Sequence, residues 1–231
     1  MKRNNFLVII AFLFTIYSFS QENFTIHRGT NVAHWLSQSE KRGKERINFF
    51  TESDVKQIVA MGFDHIRIPI DEEQMWDENG KRHEEAFELL ENGIEWSTSN
   101  NLKVIVDLHI LRSHHFNAKE KPLWTDVKEQ EKFFDLWRDL SKMLKEFPNN
   151  MVAYELMNEA VADDHEDWNN LLQKAFEAIR EIEPERVIVI GSNRWQSVET
   201  FNALKVPEND KNIILSFHFY KPFLFSHYKA P

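Results

Sequence analysis

The stretch Met-Val-Ala-Tyr-Glu-Leu-Met-Asn-Glu at residues 151–159 is an apolar run that ends on a carboxylate. A buried strand with an acid at its C-terminal tip is where a parallel α/β barrel places its chemistry. Glu159 in that position has the right type for a general acid/base, although a single acid there reads equally well as a helix N-cap or a solvated loop residue. Glu155 lies on the same face, four residues deeper. At ~3.3 Å per residue the two carboxylates would stand about 13 Å apart along an extended strand. A pair that cleaves a glycosidic bond needs about 5–5.5 Å for retention or 6.5–9.5 Å for inversion. A partner for Glu159 must therefore come from another strand.

Polar residues end the other strand-like runs as well. Arg67 lies in Phe63–Ile70, His109 ends Lys103–His109, and Asn158 precedes Glu159. Asn193 and Trp195 follow Val187–Ile190, and His218 and Tyr220, two apart and so on one face, end Ile213–Tyr220. Each has a bland alternative: an Arg in a strand is usually an ion-pair partner, and a strand-end His is usually a satisfied core group. Five successive polar tips are harder to assign to packing, and in a barrel they converge at one mouth. Arg67, His109 and Asn158 could hold charge and hydroxyl groups, and Tyr220 could hydrogen-bond a second carboxylate. Trp35, Trp76, Trp124 and Trp195 lie near strand ends, where indoles stack on sugar rings or simply fill core.

The elements needed to position these residues follow from hydrophobic period. Strands are expected at 26–32, 63–70 (Ile66, Ile68 and Ile70 on one face, His65, Arg67 and Pro69 on the other), 103–109, 151–159, 187–190 and 213–220. Helices are expected at 51–61 with Val55, Ile58 and Val59 inward, at 84–100, at about 127–147 with Asp126 and Glu129 as a capping pair, and from Trp168 to Ile182. Strands alternating with helices imply βαβ units and a parallel sheet. Open doubly wound folds share this pattern, but no Gly-rich phosphate loop follows any strand.

With 231 residues, 42% hydrophobic, the chain can bury one sizeable core, and its lack of cysteine excludes disulfides, thiolate metal sites and a Cys nucleophile. Lys2 and Arg3 precede an apolar run from Phe6 to Phe19, and Ser18-Phe19-Ser20 offers small residues for cleavage. This pattern reads as a signal peptide over residues 1–20, hence a secreted or periplasmic protein, with an uncleaved anchor as the alternative. The formal charge is −9, and −11 without residues 1–20 (26 basic against 37 acidic). Nucleic-acid binding needs basic patches, so this balance disfavours it and suits a neutral substrate.

Six segments together resemble glycoside hydrolase family 5, the cellulase-like retaining glycosidases. They are Arg-Gly-Thr-Asn-Val-Ala-His-Trp-Leu (28–36), His-Ile-Arg-Ile-Pro (65–69), Asp-Leu-His (107–109), Glu-Leu-Met-Asn-Glu (155–159), Gly-Ser-Asn-Arg-Trp (191–195) and Ser-Phe-His-Phe-Tyr (216–220). The resemblance implies a (β/α)8 TIM barrel of which 21–231 would supply the first six units. It implies Glu159 as acid/base, Asn158 at the sugar 2-hydroxyl, and Arg67, His109, His218, Tyr220, His34, Trp35 and Trp195 as supporting or substrate-binding residues. The implied substrate is a β-linked oligo- or polysaccharide, with no cofactor, no metal and a monomeric full-length protein. Ala160 stands where many members have Pro. The family's nucleophile, a Glu at the tip of strand 7, has no counterpart: Glu199, Glu208 and Asp210 do not sit at a strand tip, and no acid follows Tyr220. The expectation is a fragment whose nucleophile lies beyond Pro231. Two other readings are an inactive carbohydrate-binding remnant of a barrel and a metal-dependent barrel hydrolase built on Asp107, His109, His114 and His115.

Overall fold

The computed structural model describes residues 23–229, so the expected signal peptide, residues 1–20, lies outside the described residues. Six strands form one sheet in the order β1-β2-β3-β4-β5-β6, every neighbouring pair parallel. They are β1 (Gly29–Asn31), β2 (His65–Asp71), β3 (Lys103–Ile110), β4 (Val152–Glu155), β5 (Val187–Gly191) and β6 (Ile213–Ser216). The helices are α1 (Gly43–Ile47), α2 (Glu52–Ala60), α3 (Glu72–Met75), α4 (Glu84–Ser99), α5 (Val127–Leu144), α6 (His165–Arg180) and α8 (Phe223–Ser226), with α7 (Asn193–Gln196) a single turn whose Arg194, Trp195 and Gln196 have positive φ. The sheet curls, so that residues of β1 and β6, its two edges, line one trough of about 1460 Å³. This is the first part of a parallel α/β barrel, as the alternation of strands and helices predicts.

Two apolar layers separate along each strand because successive side chains point to opposite faces. Ile66, Ile68 and Ile70 of β2, Val104, Val106 and Leu108 of β3, and Ile188 and Ile190 of β5 pack outward against the helices. The expected isoleucine face of strand 2 is thus the helix face. A smaller inner layer of Phe24, Ile105, Ala153, Val187 and Val189 closes the floor of the trough. Trp137 of α5 stacks on Tyr154 of β4, with ring centroids 5.4 Å apart. Two buried indoles also pin strand ends: Trp137 Nε1 donates to Leu156 O at 3.0 Å and Trp168 Nε1 to Gly191 O at 2.9 Å. Those carbonyls lie where β4 and β5 give way to loops, and the indoles satisfy groups that burial would otherwise penalise.

Several elements end earlier than period alone suggests. β1 spans only 29–31 of the expected 26–32, β4 stops at Glu155 instead of Glu159, and β6 stops at Ser216 instead of Tyr220. Asp126 caps α5 by accepting from Lys128 N, and no Glu129 side-chain bond completes a capping box. Val59 and Ile182 are exposed, because α2 and α6 turn them away from the sheet or end before them. Leu215, Phe217, Phe219, Phe223, Leu224, Phe225 and Tyr228 are all exposed along the β6 edge. An apolar surface of that extent on a sheet edge is what further strands and helices would cover.

Candidate active site

The site begins with a charge problem set by register. Asp107 of β3 and Glu155 of β4 are direct neighbours in the sheet. Asp107 is fully buried and Glu155 nearly so. Two adjacent carboxylates in a dry interior need a cation. Arg67 of β2 supplies it, with Nε 2.6 Å from Glu155 Oε2 and a terminal nitrogen 2.8 Å from Asp107 Oδ2. The same guanidinium donates to Asn158 Oδ1 at 2.9 Å and Asn31 Oδ1 at 3.3 Å. Burial pushes both carboxyls up. For Glu155 the charge and hydrogen bonds of Arg67, helped by the Gln196 amide, outweigh burial and the net shift is down. Asp107 also feels Glu155 beside it and remains shifted up despite Arg67. Asp107 Oδ2 also meets His109 Nδ1 at 2.6 Å, which fixes the ring of a residue that lines the trough.

Above this layer the chain leaves β4 and turns. Glu159 adopts φ 48°, a left-handed conformation uncommon for a residue with a side chain. The 13 Å spacing that an extended strand would give Glu155 and Glu159 therefore does not apply. Glu159 is buried apart from its edge on the trough, and its Oε1 lies 2.6 Å from His218 Nδ1. Tyr220 stands edge-on to His218, centroids 6.0 Å apart. Partial burial, then the negative charge of Glu159, pushes its hydroxyl up, with Arg67 opposing. Burial holds Asn158 firmly, and its backbone N–H donates to Leu108 O.

Arg67, His109, Asn158, Glu159, His218, Tyr220, His34 and Trp195 all line the one trough. His34 is exposed at φ 60°, with Nδ1 3.0 Å from Gln38 O. Trp195 is 44% exposed, enough to offer a ring face to a ligand. Trp35 is not at the site: it is fully buried against Phe50, and its Nε1 donates to Arg46 O at 3.0 Å. Trp76 is likewise core, bonded to Asp139. Trp124 packs against His114 and Trp168. Tryptophan near a strand end is therefore a weak sign of substrate contact here, because the indoles also serve as wedges between helices and strands.

His114 is buried, which drives its pKa down to about 3, and its Nε2 accepts the Val161 N–H. Among the described residues no group of three or more His, Asp or Glu side chains is arranged to hold a metal. Glu199 pairs with Lys221 and Asp210 with Arg180, and neither lines the trough. Among the described residues the only carboxylates lining the trough are Glu155 and Glu159. The roles of Asp107, Glu155 and Gln196 were harder to read from sequence. Inward-facing Asp107, Glu155 and Arg67 on three adjacent strands carried a signal, since such charges must neutralise one another. Gln196 carried none.

A family model for cellulase (glycosyl hydrolase family 5) matches residues 22–230. Endoglucanase C of Acetivibrio thermocellus is 35% identical over 206 residues, covering 87% of this chain and 60% of the relative. Cellodextrinase A of Ruminococcus flavefaciens is 31% identical over 208 residues, covering 89% and 61%. The crystal structure of endoglucanase Cel5A from Thermotoga maritima superposes with a TM-score of 0.73 at 28% identity, covering 88% of this chain and 63% of that one. A second structure of that protein, in complex with mannotriose, gives 0.75 at 27% identity, with 90% and 65% covered. The chain thus spans roughly three fifths of the length of these relatives.

Proposed function

The chain belongs to glycosyl hydrolase family 5, and we propose that it is the first part of a secreted, monomeric, retaining endo-β-glycosidase that cleaves a β-linked glucan. Glu159 is the acid/base in this reading. It protonates the leaving glycosidic oxygen while a second carboxylate attacks the anomeric carbon, and it then takes the proton from the water that hydrolyses the glycosyl-enzyme. His218 orients Glu159, Asn158 meets the sugar beside the reacting centre, and Arg67 fixes Asn158. His109 and Tyr220 border the same space, and His34 and Trp195 flank the sugar chain.

One observation carries this proposal. The trough offers Glu159 to solvent at its lip, while the other carboxylate on it, Glu155, is held in a two-point grip by Arg67. In this reading the acid lies among the described residues of the trough and its partner does not. The partner would stand about 5–5.5 Å from Glu159 across the trough, on the side where the β6 edge is bare. We propose that this nucleophile comes from additional βα units of a longer protein, and that 21–231 alone binds saccharide weakly and does not hydrolyse it. The names of the relatives, an endoglucanase and a cellodextrinase, support a cellulose-like substrate; the mannotriose complex of the Thermotoga enzyme supports tolerance of mannan.

The test is Glu159→Gln in the full-length protein. Activity on polysaccharide should fall by a factor on the order of 10²–10⁴, the usual worth of general acid/base catalysis. An aryl glycoside with an activated leaving group needs less protonation and should lose less in its first step. Wild-type rates on polysaccharide in this variant would remove Glu159 from the role.

A further inference from the structure

Among the described residues, the turn after β5 holds the longest run of left-handed backbone. Arg194, Trp195 and Gln196 are consecutive non-glycine residues at φ 59°, 61° and 51°. L-residues avoid this region, and a run of three persists only where surrounding contacts impose it. Those contacts are on both flanks. Asn193 exchanges two hydrogen bonds with the backbone of Ala162, at 2.9 and 3.0 Å. Ser192 Oγ donates to Ser197 O at 2.7 Å, and Thr200 Oγ1 to Asn193 O at 2.6 Å.

This turn delivers Gln196, 1% exposed, beneath the acid. Its Oε1 accepts the backbone N–H of Glu159 at 3.0 Å. Its Nε2 donates to Glu155 Oε1 at 3.2 Å. Its backbone carbonyl accepts the His218 N–H at 3.0 Å. One residue therefore ties together the left-handed backbone of Glu159, the buried Glu155 and the segment whose imidazole touches Glu159. Gly191 makes the space: a Cβ there would lie 2.4 Å from Gln196 Cγ and 2.5 Å from Nε2.

We infer that Gln196 is a positioning residue for Glu159, clamping its backbone and the His218 segment so that the carboxyl faces the glycosidic oxygen, and that Gly191 at the end of β5 admits it. The kinetic part of this inference rests on the acid/base reading of Glu159; the structural part does not.

The experiment compares Gln196→Ala, Gly191→Ala and the double variant in the full-length protein, each checked by thermal unfolding. Hydrogen exchange reads the clamp directly. The Glu159 amide should be protected in the wild type and should exchange at least tenfold faster in both single variants. On β-glucan, kcat should fall by a factor on the order of 10², the scale of a misplacement near 1 Å, with KM within about twofold. An activated aryl glycoside should lose less. Because both changes act on one contact, the double variant should be no slower than Gln196→Ala alone. A Gln196→Ala that does not fold leaves Gly191→Ala, which changes no polar group, to decide. Retained Glu159 protection in either folded variant, or additive losses in the double, would overturn the inference. A wild-type protein inactive on β-glucan, with the exchange pattern as expected, would instead sink the reading of the site and leave the clamp standing.

Discussion

Arg67→Met keeps most of the stem and removes the charge from the centre of the site. In the wild type one guanidinium, its side chain 19% exposed, serves a fully buried Asp107 and a Glu155 that is 2% exposed. Removing one partner of a buried pair costs ~3–5 kcal/mol, because the other charge is left without compensation. Two carboxylates are stranded here, which argues for the upper end. Asp107, already shifted up, can relieve part of the cost by taking a proton, which argues for the lower end. We expect about 3–5 kcal/mol at pH 7.5 and a fall in Tm on the order of 10 °C.

The pH dependence distinguishes this cause from lost packing. In the wild type Glu155 is depressed, so its contribution is present above the unfolded carboxyl value and is lost as pH falls through the folded one. In the variant nothing opposes burial, and both carboxyls rise above their unfolded values. The folded variant then binds protons more readily than the unfolded chain, and it gains stability as pH falls through those raised values. The gap between the two proteins should therefore narrow from pH 7.5 to about 4.5. Urea unfolding followed by tryptophan fluorescence at both pH values measures it on full-length protein. Arg67→Lys restores charge without the two-point fork and should recover only part of the loss. A deficit below about 1 kcal/mol, or one equal at both pH values, would refute the account of Arg67 as the shared counter-ion.

Trp35→Ala should destabilise by about 3–5 kcal/mol, the cost of emptying a fully buried aromatic site, and leave KM for soluble glucan unchanged in enzyme that remains folded. Trp195→Ala should do the reverse, raising KM with a stability change within about 0.5 kcal/mol, because its ring stands partly in solvent. If Trp35→Ala raises KM without lowering Tm, the assignment of that indole to the core is wrong. Residues 21–231 expressed alone should aggregate and release no reducing sugar, whereas a version about 80–100 residues longer should melt cooperatively and hydrolyse, by the length of a whole barrel. A soluble, active 21–231 would show that an acid already in the chain acts as nucleophile.

The strands and the long helices were legible because burial writes itself as period. Ile66, Ile68 and Ile70 could face only one layer, and Phe133, Trp137, Leu140 and Leu144 form a stripe that is fully or almost fully buried. Strand ends were not legible. From Leu156 to Glu159 the residues are buried as deeply as those of β4, so composition does not mark the point where the ladder stops. Placing Trp35 near substrate failed for a related reason. A buried indole and a sugar platform are the same residue at similar sequence positions, and only the fold tells them apart: full burial, Phe50 against the ring and the Arg46 carbonyl on its Nε1. The polar tips converge on one trough, but their pairings needed register: Asp107 beside Glu155 is a consequence of β3 and β4 aligning Val104 with Val152.

What sequence period could not reach is concentrated at one end of the sheet. Glu159, His34, Arg194, Trp195 and Gln196 all occupy left-handed backbone; Glu159, His34 and Trp195 line the trough, with Gln196 just beneath Glu159. Each such residue costs of order 1–3 kcal/mol and persists only where its surroundings over-determine it. The surroundings that do so are the rigid parts that period does predict. Trp137 and Trp168 hold the carbonyls at the ends of β4 and β5, and the floor of Phe24, Ile105, Ala153, Val187 and Val189 keeps the strands packed below. Strain at the mouth is thus sustained by order at the floor. Changes in the floor should lower stability first and activity only through it, whereas changes in the left-handed turns should move the acid while leaving most of the melting temperature intact.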